Sequence, residues 1–387
     1  MDDLQFVMEQ ERKLPITDQC DVLVAGGGVA GVAAALAAAR QGASVLLVDA
    51  NCALGGLATL GLITVYEPLC DGYGNQVIFG VAEELLRLSI QHGYESRYPD
   101  AWLDGSDFER LEKRKKQRFA VQYNAQFFAL DLERLLLENG VRLLYRTKIY
   151  DTVVNDGVIT QVLIDNKAGR SAIAAKAFVD ATGDADLCWF SGENTALYEK
   201  NKLTAWYYYN YDGGYRYFTQ NPPNQTVFYN GLTDETEMII KAHNLIYTDV
   251  LRKKAQDSCI MPVTIPTVPQ FRMTRRLVGV CEPNLAQAEA GFSDAIGRMG
   301  DWHCAAGIYD IPYSSLYGRN IQNLITAGRC VSHQDDMWDL SRVIPVCALT
   351  GEAAGVAAAL AAATGKGMTD LCLQQIRDRM GYRERGI

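Results

Sequence analysis

The chain has 387 residues, 48% of them hydrophobic and 21% charged, with a formal net charge of −9 at pH 7. That length buries a large core and allows two domains. The acidic balance argues against a nucleic-acid partner, which would need a basic face, and no uninterrupted apolar stretch has the length of a membrane span.

Met1–Gln19 is charged and lacks the apolar core of a secretory signal, so a cytoplasmic location is expected. The ten cysteines form no CxxC pair, which speaks against zinc and a redox-active dithiol, and with no leader expected they read as reduced thiols. Residues 21–49 carry the densest signal. Val22–Val24 reads as a buried strand, Gly26, Gly28 and Gly31 follow at GxGxxG spacing, and Val29–Arg40 reads as a helix ending at Gly42. A second strand, Val45–Val48, ends in Asp49. The glycines permit a tight strand-to-helix turn, backbone approach to a pyrophosphate and close helix–strand packing. The helix N-terminus offers N–H groups to phosphate, and Asp49 stands where a carboxylate accepts hydrogen bonds from ribose hydroxyls. Together these predict a dinucleotide site in a Rossmann-like α/β fold.

Residues 54–65, rich in glycine and apolar side chains, place backbone close to a ligand. Helical periodicity marks 76–93 and 127–139, and Val141–Tyr145 reads as a core strand. Between them Lys113–Lys116 and Arg118 follow Glu109 and Glu112, and read as a solvated helix face or an anion or partner site. Val153–Ile164 and Ser171–Val179 read as strands joined by a turn at Asn166–Gly169, leading into Asp180–Leu187. From about 190 to 305 the composition changes: tyrosines crowd at 207, 208, 209, 211, 215 and 217, and prolines punctuate 262–269. The tyrosines either stack a planar or sugar-like substrate or form the aromatic face of a sheet. This segment is expected to be a substrate-facing α+β cap, 191–305, inserted into a discontinuous nucleotide domain of 15–190 and 306–387. Asn323–Arg329 restores the strand-to-glycine pattern, Thr350–Gly355 is expected to open the last long helix, and Ala353–Ala363 reads as its buried body.

GGGVAG at 26–31, the acid at 49, Gly55-Gly56, ATGDADL at 181–187, FRMTRR at 271–276, DAIGR at 294–298, GDW at 300–302, YDIPYSSL at 309–316, AGRC at 327–330 and the block 341–355 form a specific set. In these motifs the chain resembles the two-dinucleotide-fold flavoproteins, in particular the FAD-dependent oxidoreductases related to fumarate reductase flavoproteins. The resemblance covers most of the chain and implies a discontinuous, glutathione-reductase-like FAD domain, with FAD as the cofactor. It implies cofactor contacts at Gly26, Gly28, Val29, Ala30, Asp49, Ala50, Asn51, Gly55, Gly56, Ala58, Thr59, Ile149, Thr182, Gly183, Asp184, Gly328, Arg329, Pro345, Thr350, Gly351 and Ala354. A helix N-terminus at Thr350–Ala354 would favour the negative charge of reduced flavin. No second GxGxxG follows in the cap, so electrons are expected to pass to or from a substrate or a partner carrier. No histidine lies in the 50–60 loop where relatives attach flavin covalently, so noncovalent FAD is expected.

Candidates for the chemistry are Arg275, His303, His333 and Arg342. The guanidiniums of 271–276 suit a carboxylate or a carbonyl, or else salt bridges to acids such as Asp294 and Asp301. Each histidine suits general acid or base work near neutral pH, or a structural hydrogen bond. Arg342 meets flavin or substrate, or bridges the domains. Tyr309 and Tyr313 either activate a hydroxyl or pack, and Cys330 and Cys347 read as small buried residues. The expected activity is hydride exchange between flavin N5 and a small organic substrate. The alternatives are flavin-dependent group transfer, as in tRNA-modifying flavoproteins, and a non-catalytic flavin-binding subunit.

Overall fold

The computed structural model describes residues 7–9, 11–94, 115–198, 200–211, 214–220, 226–228 and 234–381. Its centre is a seven-stranded sheet. Strands β1 (Ile16–Ala25), β2 (Val45–Val48), β5 (Arg142–Leu144), β6 (Lys148–Asn155), β7 (Val158–Asn166) and β8 (Gly169–Asp180) run in the order β5-β2-β1-β8-β7-β6, and β18 (Leu324–Thr326) pairs with β8. The pairs around β1, β2, β5, β18 and β8 are parallel, as a βαβ connection requires. On the edge away from β1, β8 is long enough for two partners: Gly169–Ala174 pairs antiparallel with β7 and Phe178–Asp180 pairs parallel with β18. This is the expected mixed α/β fold with its parallel, Rossmann-like sheet.

The βαβ unit lies where the glycines put it. Helix α1 (Val29–Arg40) follows Gly28 and is buried from Val29 to Ala38. Its partner is the 21-residue α8 (Ile344–Thr364), and the two pack through alanine and glycine. A side-chain carbon at Gly31 would stand 1.8 Å from the Gly26 carbonyl oxygen, and one at Gly355 would stand 2.1 Å from that of Ala34. No side chain fits at either place. α8 is apolar enough to cross a membrane, but 83% of its apolar window is buried inside the protein, as a core helix requires.

Three readings of local structure change. Val153–Ile164 is not one strand: Asp156 and Gly157 take φ of 49° and 73° and turn β6 back onto β7 as a hairpin. An Asp-Gly pair suits a two-residue turn because both positions need positive φ. Thr350–Gly355 does not open the last long helix. α8 starts two turns earlier, after Val343, with Pro345 in its first turn, where the missing N–H costs nothing. Helix α2 (Val81–Ile90) is shorter than the 76–93 periodicity, because Val77 and Ile78 instead donate to the Leu69 carbonyl. α3 (Ala125–Glu138) is capped by Asn124, whose side chain accepts from the backbone of Gln126 and Phe127. The turn expected at Asn166–Gly169 is present, with Asn166 Oδ1 accepting from Ala168. Of the basic run, residues 109–114 lie outside the described residues; Lys115–Gln117 forms a short turn whose Lys116 Nζ donates to the His303 carbonyl at 2.6 Å.

A separate antiparallel sheet, β12-β11-β14, is made of β11 (Ala205–Tyr211), β12 (Gly214–Gln220) and β14 (Pro262–Thr264) and packs on helix α5 (Asp234–Gln256). Its own core joins Leu203, Tyr207, Tyr209, Met238, Ile246 and Phe271. Tyr207 and Tyr209 are therefore core residues rather than an open stacking face, and Tyr207 Oη donates to Asp249 at 2.6 Å. Tyr208 faces the other way and meets Thr64 Oγ1 at 2.9 Å, tying this layer to the glycine-rich 54–65 segment. The side chains of Tyr211, Tyr215 and Tyr217 lie outside the described residues. Ala288, Ile296 and Met299 share the core of α1 and α8 instead, so the separate core ends near residue 271.

The α1–α8 contact is testable. Gly355→Val should destabilise the protein by about 2 kcal/mol despite roughly 1 kcal/mol gained in helix propensity. Scanning calorimetry would read this as a lowered unfolding temperature.

Candidate active site

One cavity of about 460 Å³ opens at the carboxyl ends of the parallel strands, where open α/β sheets bind ligands. Its floor is the glycine turn: Gly26, Gly28, Val29 and Ala30 line it, opposite Gly55, Gly56 and Ala58. Gly55 N–H donates to the Gly27 carbonyl at 2.7 Å, which closes the two loops on each other. A carbon added at Gly28 would meet nothing within 4 Å, so bare backbone faces open space there. α1 has no side-chain cap and no acid in its first turn, leaving its N-terminal N–H groups for a ligand. Asp49 ends β2 at the rim, where one oxygen accepts from Gly27 N–H and the other from Asn51 N–H at 2.6 Å. Both oxygens keep lone pairs for a further donor.

The second side of the cavity comes from Ala181–Asp184 after β8 and Ala327 and Arg329 after β18. Arg329 braces these segments: Nε donates to Gly183 O at 2.8 Å, Nη1 to Phe271 O at 2.7 Å and Nη2 to Asp184 Oδ1 at 2.8 Å. The third side is the N-terminus of α8, where Val343, Ile344 and Cys347 line the wall and no side chain caps the helix. The positive helix end thus lies at Ile344, not at Thr350. Burial pushes the Cys347 thiol up to about 12, so it stays protonated.

The remaining wall carries the titratable groups. Glu67, Trp206, Arg272, Trp302 and Arg342 all line it. Arg342 is held by Asp339, with Nε and Nη2 both on Oδ1 at 2.9 and 2.6 Å, and its guanidinium stands 6.0 Å from the Trp302 ring centre. Arg272 makes no hydrogen bond or ion pair among the described residues; burial lowers its pKa and the Arg342 charge lowers it further, against a pull from Asp339. Glu67 likewise makes no hydrogen bond or ion pair among the described residues. Burial raises its carboxyl to about 7, opposed by Arg342. Sequence reading missed Glu67 and left Arg272 unranked within its arginine cluster.

Several expected contacts lie outside the cavity, each for a visible reason. Thr350 sits two turns along α8, where its Oγ1 accepts from Gly328 N–H at 3.0 Å, and Gly351 packs on the Ala30 carbonyl. Ala354 is buried in the same helix contact. Gly328 is the turn between Ala327 and Arg329, and its Cα faces Ala30. Pro345 shapes the first turn of α8 without lining the wall. Thr59 Oγ1 donates backward to the Leu54 carbonyl, Ala50 is exposed at the rim, and Ile149 packs against the core on β6.

The expected catalytic set separates in the same way. Of it, only Arg342 lines the cavity. Arg275 donates to Asp184 O at 2.8 Å and to Asp186 at 2.5 Å, and lies over Trp189; Arg276 pairs with Glu282 at 2.6 Å. Their partners are thus Asp186 and Glu282, not Asp294 or Asp301. His303 is half exposed, stacks on Trp302 at 3.6 Å and reaches Asp339 Oδ2 at 3.3 Å, behind the wall. His333 is fully buried beside Ser315 Oγ at 3.2 Å; burial, then the Arg276 charge, pushes its pKa down to about 3, so it stays neutral. Tyr313 packs with its hydroxyl on the Met368 carbonyl, and Cys330 is buried.

The sequence model of a family described as FAD dependent oxidoreductase matches residues 21–204 and 205–380. The chain belongs to this family. Among solved structures, it resembles p-nitrophenol 4-monooxygenase from Pseudomonas putida with a TM-score of 0.50 at 11% identity, over 94% of this chain and 84% of that one. L-proline dehydrogenase from P. horikoshii aligns over 95% of this chain and 99% of its own, at 12% identity and a TM-score of 0.45. A geranylgeranyl bacteriochlorophyll reductase-like protein from Thermoplasma acidophilum aligns over 96% and 84%, also at 12% and 0.45. The likeness to the monooxygenase shows a shared fold and no more. The protein is an FAD-dependent oxidoreductase, and the cavity fits its cofactor: a glycine cradle with an uncapped helix end for phosphates, a rim carboxylate for ribose, and a second helix end on the far side.

Two outcomes follow from this geometry. Asp49→Ala removes the rim acceptor and should weaken FAD binding at least about tenfold, read by calorimetric titration of the apoprotein. Glu67 has a higher pKa folded than unfolded, so the stability it confers is present below its ordinary value of 4.5 and is lost as pH rises to about 7. Denaturant titrations across pH 5 to 8 should therefore show wild type losing stability relative to Glu67→Gln.

Proposed function

We propose that this oxidoreductase exchanges a hydride between flavin N5 and a small organic substrate seated against Glu67, Arg272 and Arg342. The observation that carries the reading is one continuous cavity joining the glycine cradle to that charged wall. FAD, when bound, supplies a two-electron acceptor or donor at N5. The chain supplies alignment and proton handling. Arg342, fixed by Asp339, presents a preoriented cation to developing or permanent negative charge. Glu67, with its carboxyl near neutrality, holds or takes a proton at its side-chain oxygen.

Thr204, Trp206, Glu235 and Val268–Arg272 reach the cavity from the expected cap, 191–305, which supports a role for that segment in covering the substrate and excluding water. His303 and His333 stand outside the cavity, which supports noncovalent FAD. All ten cysteines are free, which suits a reducing compartment such as the cytoplasm.

Anaerobic mixing tests the reading. Holoprotein presented with a panel of hydroxy, amino and unsaturated compounds should lose its yellow absorbance with one class, or, once reduced, regain it with an unsaturated one. Arg342→Met should slow that step at least about tenfold with FAD still bound. A holoprotein that dithionite reduces, but that no member of the panel bleaches or reoxidises, overturns hydride exchange with a small substrate.

A further inference from the structure

The wall beside α8 holds a charge imbalance that the protein does not itself resolve. Two guanidiniums, Arg272 and Arg342, line the same cavity, and the Arg342 charge bears on Arg272. Among the described residues, the carboxylate hydrogen-bonded to this pair is Asp339. Its Oδ1 takes both bonds from Arg342 and its Oδ2 faces His303 at 3.3 Å. Arg272 is left with five N–H donors and no acceptor among the described residues, in surroundings that penalise its charge. A partly desolvated guanidinium without an acceptor is costly unless a ligand provides one.

Glu67 is the group that decides the balance. Ionised, it brings the wall to neutrality against Asp339 and the two arginines; protonated, it leaves one positive charge over. The charge bearing on it is Arg342, from the turn before α8. The other titratable groups lining the cavity are committed elsewhere: Asp49 to Gly27 and Asn51, Asp184 to Arg329, and Cys347 as a neutral thiol. Glu235 lies with Asp184 and Arg329 rather than with Glu67. The neighbouring Tyr66 donates inward to the Ala82 carbonyl.

We propose that the substrate is an organic carboxylate bound between Arg272 and Arg342, and that it binds with Glu67 protonated, so that binding takes up one proton wherever free Glu67 is ionised. The substrate carboxylate completes the pairing that Arg272 lacks, in the bidentate geometry a guanidinium favours. Two carboxylates in one desolvated wall cannot both stay ionised at low cost, so the incoming anion keeps the proton on Glu67. Glu67 is then set as the proton donor, or after release as the acceptor, for the same bound molecule. Trp206 and Trp302 give the wall an aromatic lining suited to the apolar body of such an acid. The inference rests on the proposed hydride exchange for its relevance to turnover, but binding is measurable without turnover.

The test uses oxidised holoenzyme, with benzoate and succinate as probes and benzamide and succinamide as neutral counterparts. The carboxylates should perturb the visible flavin spectrum and the amides should not. Their affinity should fall about tenfold per pH unit above about 7, with one proton taken up in calorimetry across buffers of differing ionisation heat. Glu67→Gln should flatten that pH dependence. Arg272→Met should abolish carboxylate binding with FAD affinity unchanged, and Arg272→Lys should restore part of it. Equal binding of acid and amide, a flat pH profile in wild type, or loss of FAD rather than of carboxylate in Arg272→Met would each overturn the proposal. If a neutral compound bleaches the flavin and no carboxylate binds, hydride exchange survives and the anion site alone is lost.

Discussion

Backbone-to-backbone contact around α1 is the constraint on which this architecture depends. The Gly26 turn, the end of β8, Gly328 and α8 all approach α1 at distances that exclude side chains. Because each contact is made by glycine or alanine, the helix sits deep enough for its N-terminus to meet the carboxyl ends of β1 and β8. The same closeness sets α8 alongside α1, so two uncapped helix ends open on one cavity. Electrostatics that favour phosphate at one end and negative charge at the other follow from that packing.

A second layer converts this scaffold into a site with defined walls. Arg329 joins three chain segments through its guanidinium, and Thr274 and Arg275 bind the same Asp184 turn from the opposite strand. Arginines that look interchangeable in FRMTRR therefore have separate fates. Arg275 and Arg276 are neutralised by Asp186 and Glu282, while Arg272 turns into the cavity. Asp339 similarly holds Arg342 from one side and His303 from the other, so the histidine touches the wall only through an intermediary.

Much of the nucleotide half was legible because its chemistry is local. A glycine turn, a following helix and a terminal acid lie within thirty residues, and each has one physical use there. Positions such as Thr350, Gly351 and Ala354 lie outside the cavity because small residues serve both close ligand approach and close helix packing, and here they pack. The clue to the true helix start, Pro345 in a first turn, was present in the chain, as was the Asp156-Gly157 hairpin signal. Glu67 had no such clue. A single acid between Tyr66 and Pro68 acquires its raised pKa only once distant segments close over it.

The amino-acid order alone determined a dinucleotide-binding turn and the parallel strands around it, since periodicity and glycine spacing act over short range. Tertiary structure decided which charges are spent and which remain. Whether an arginine is paired, or a histidine buried neutral, depends on partners tens to hundreds of residues away, and desolvation exists only after the walls have met.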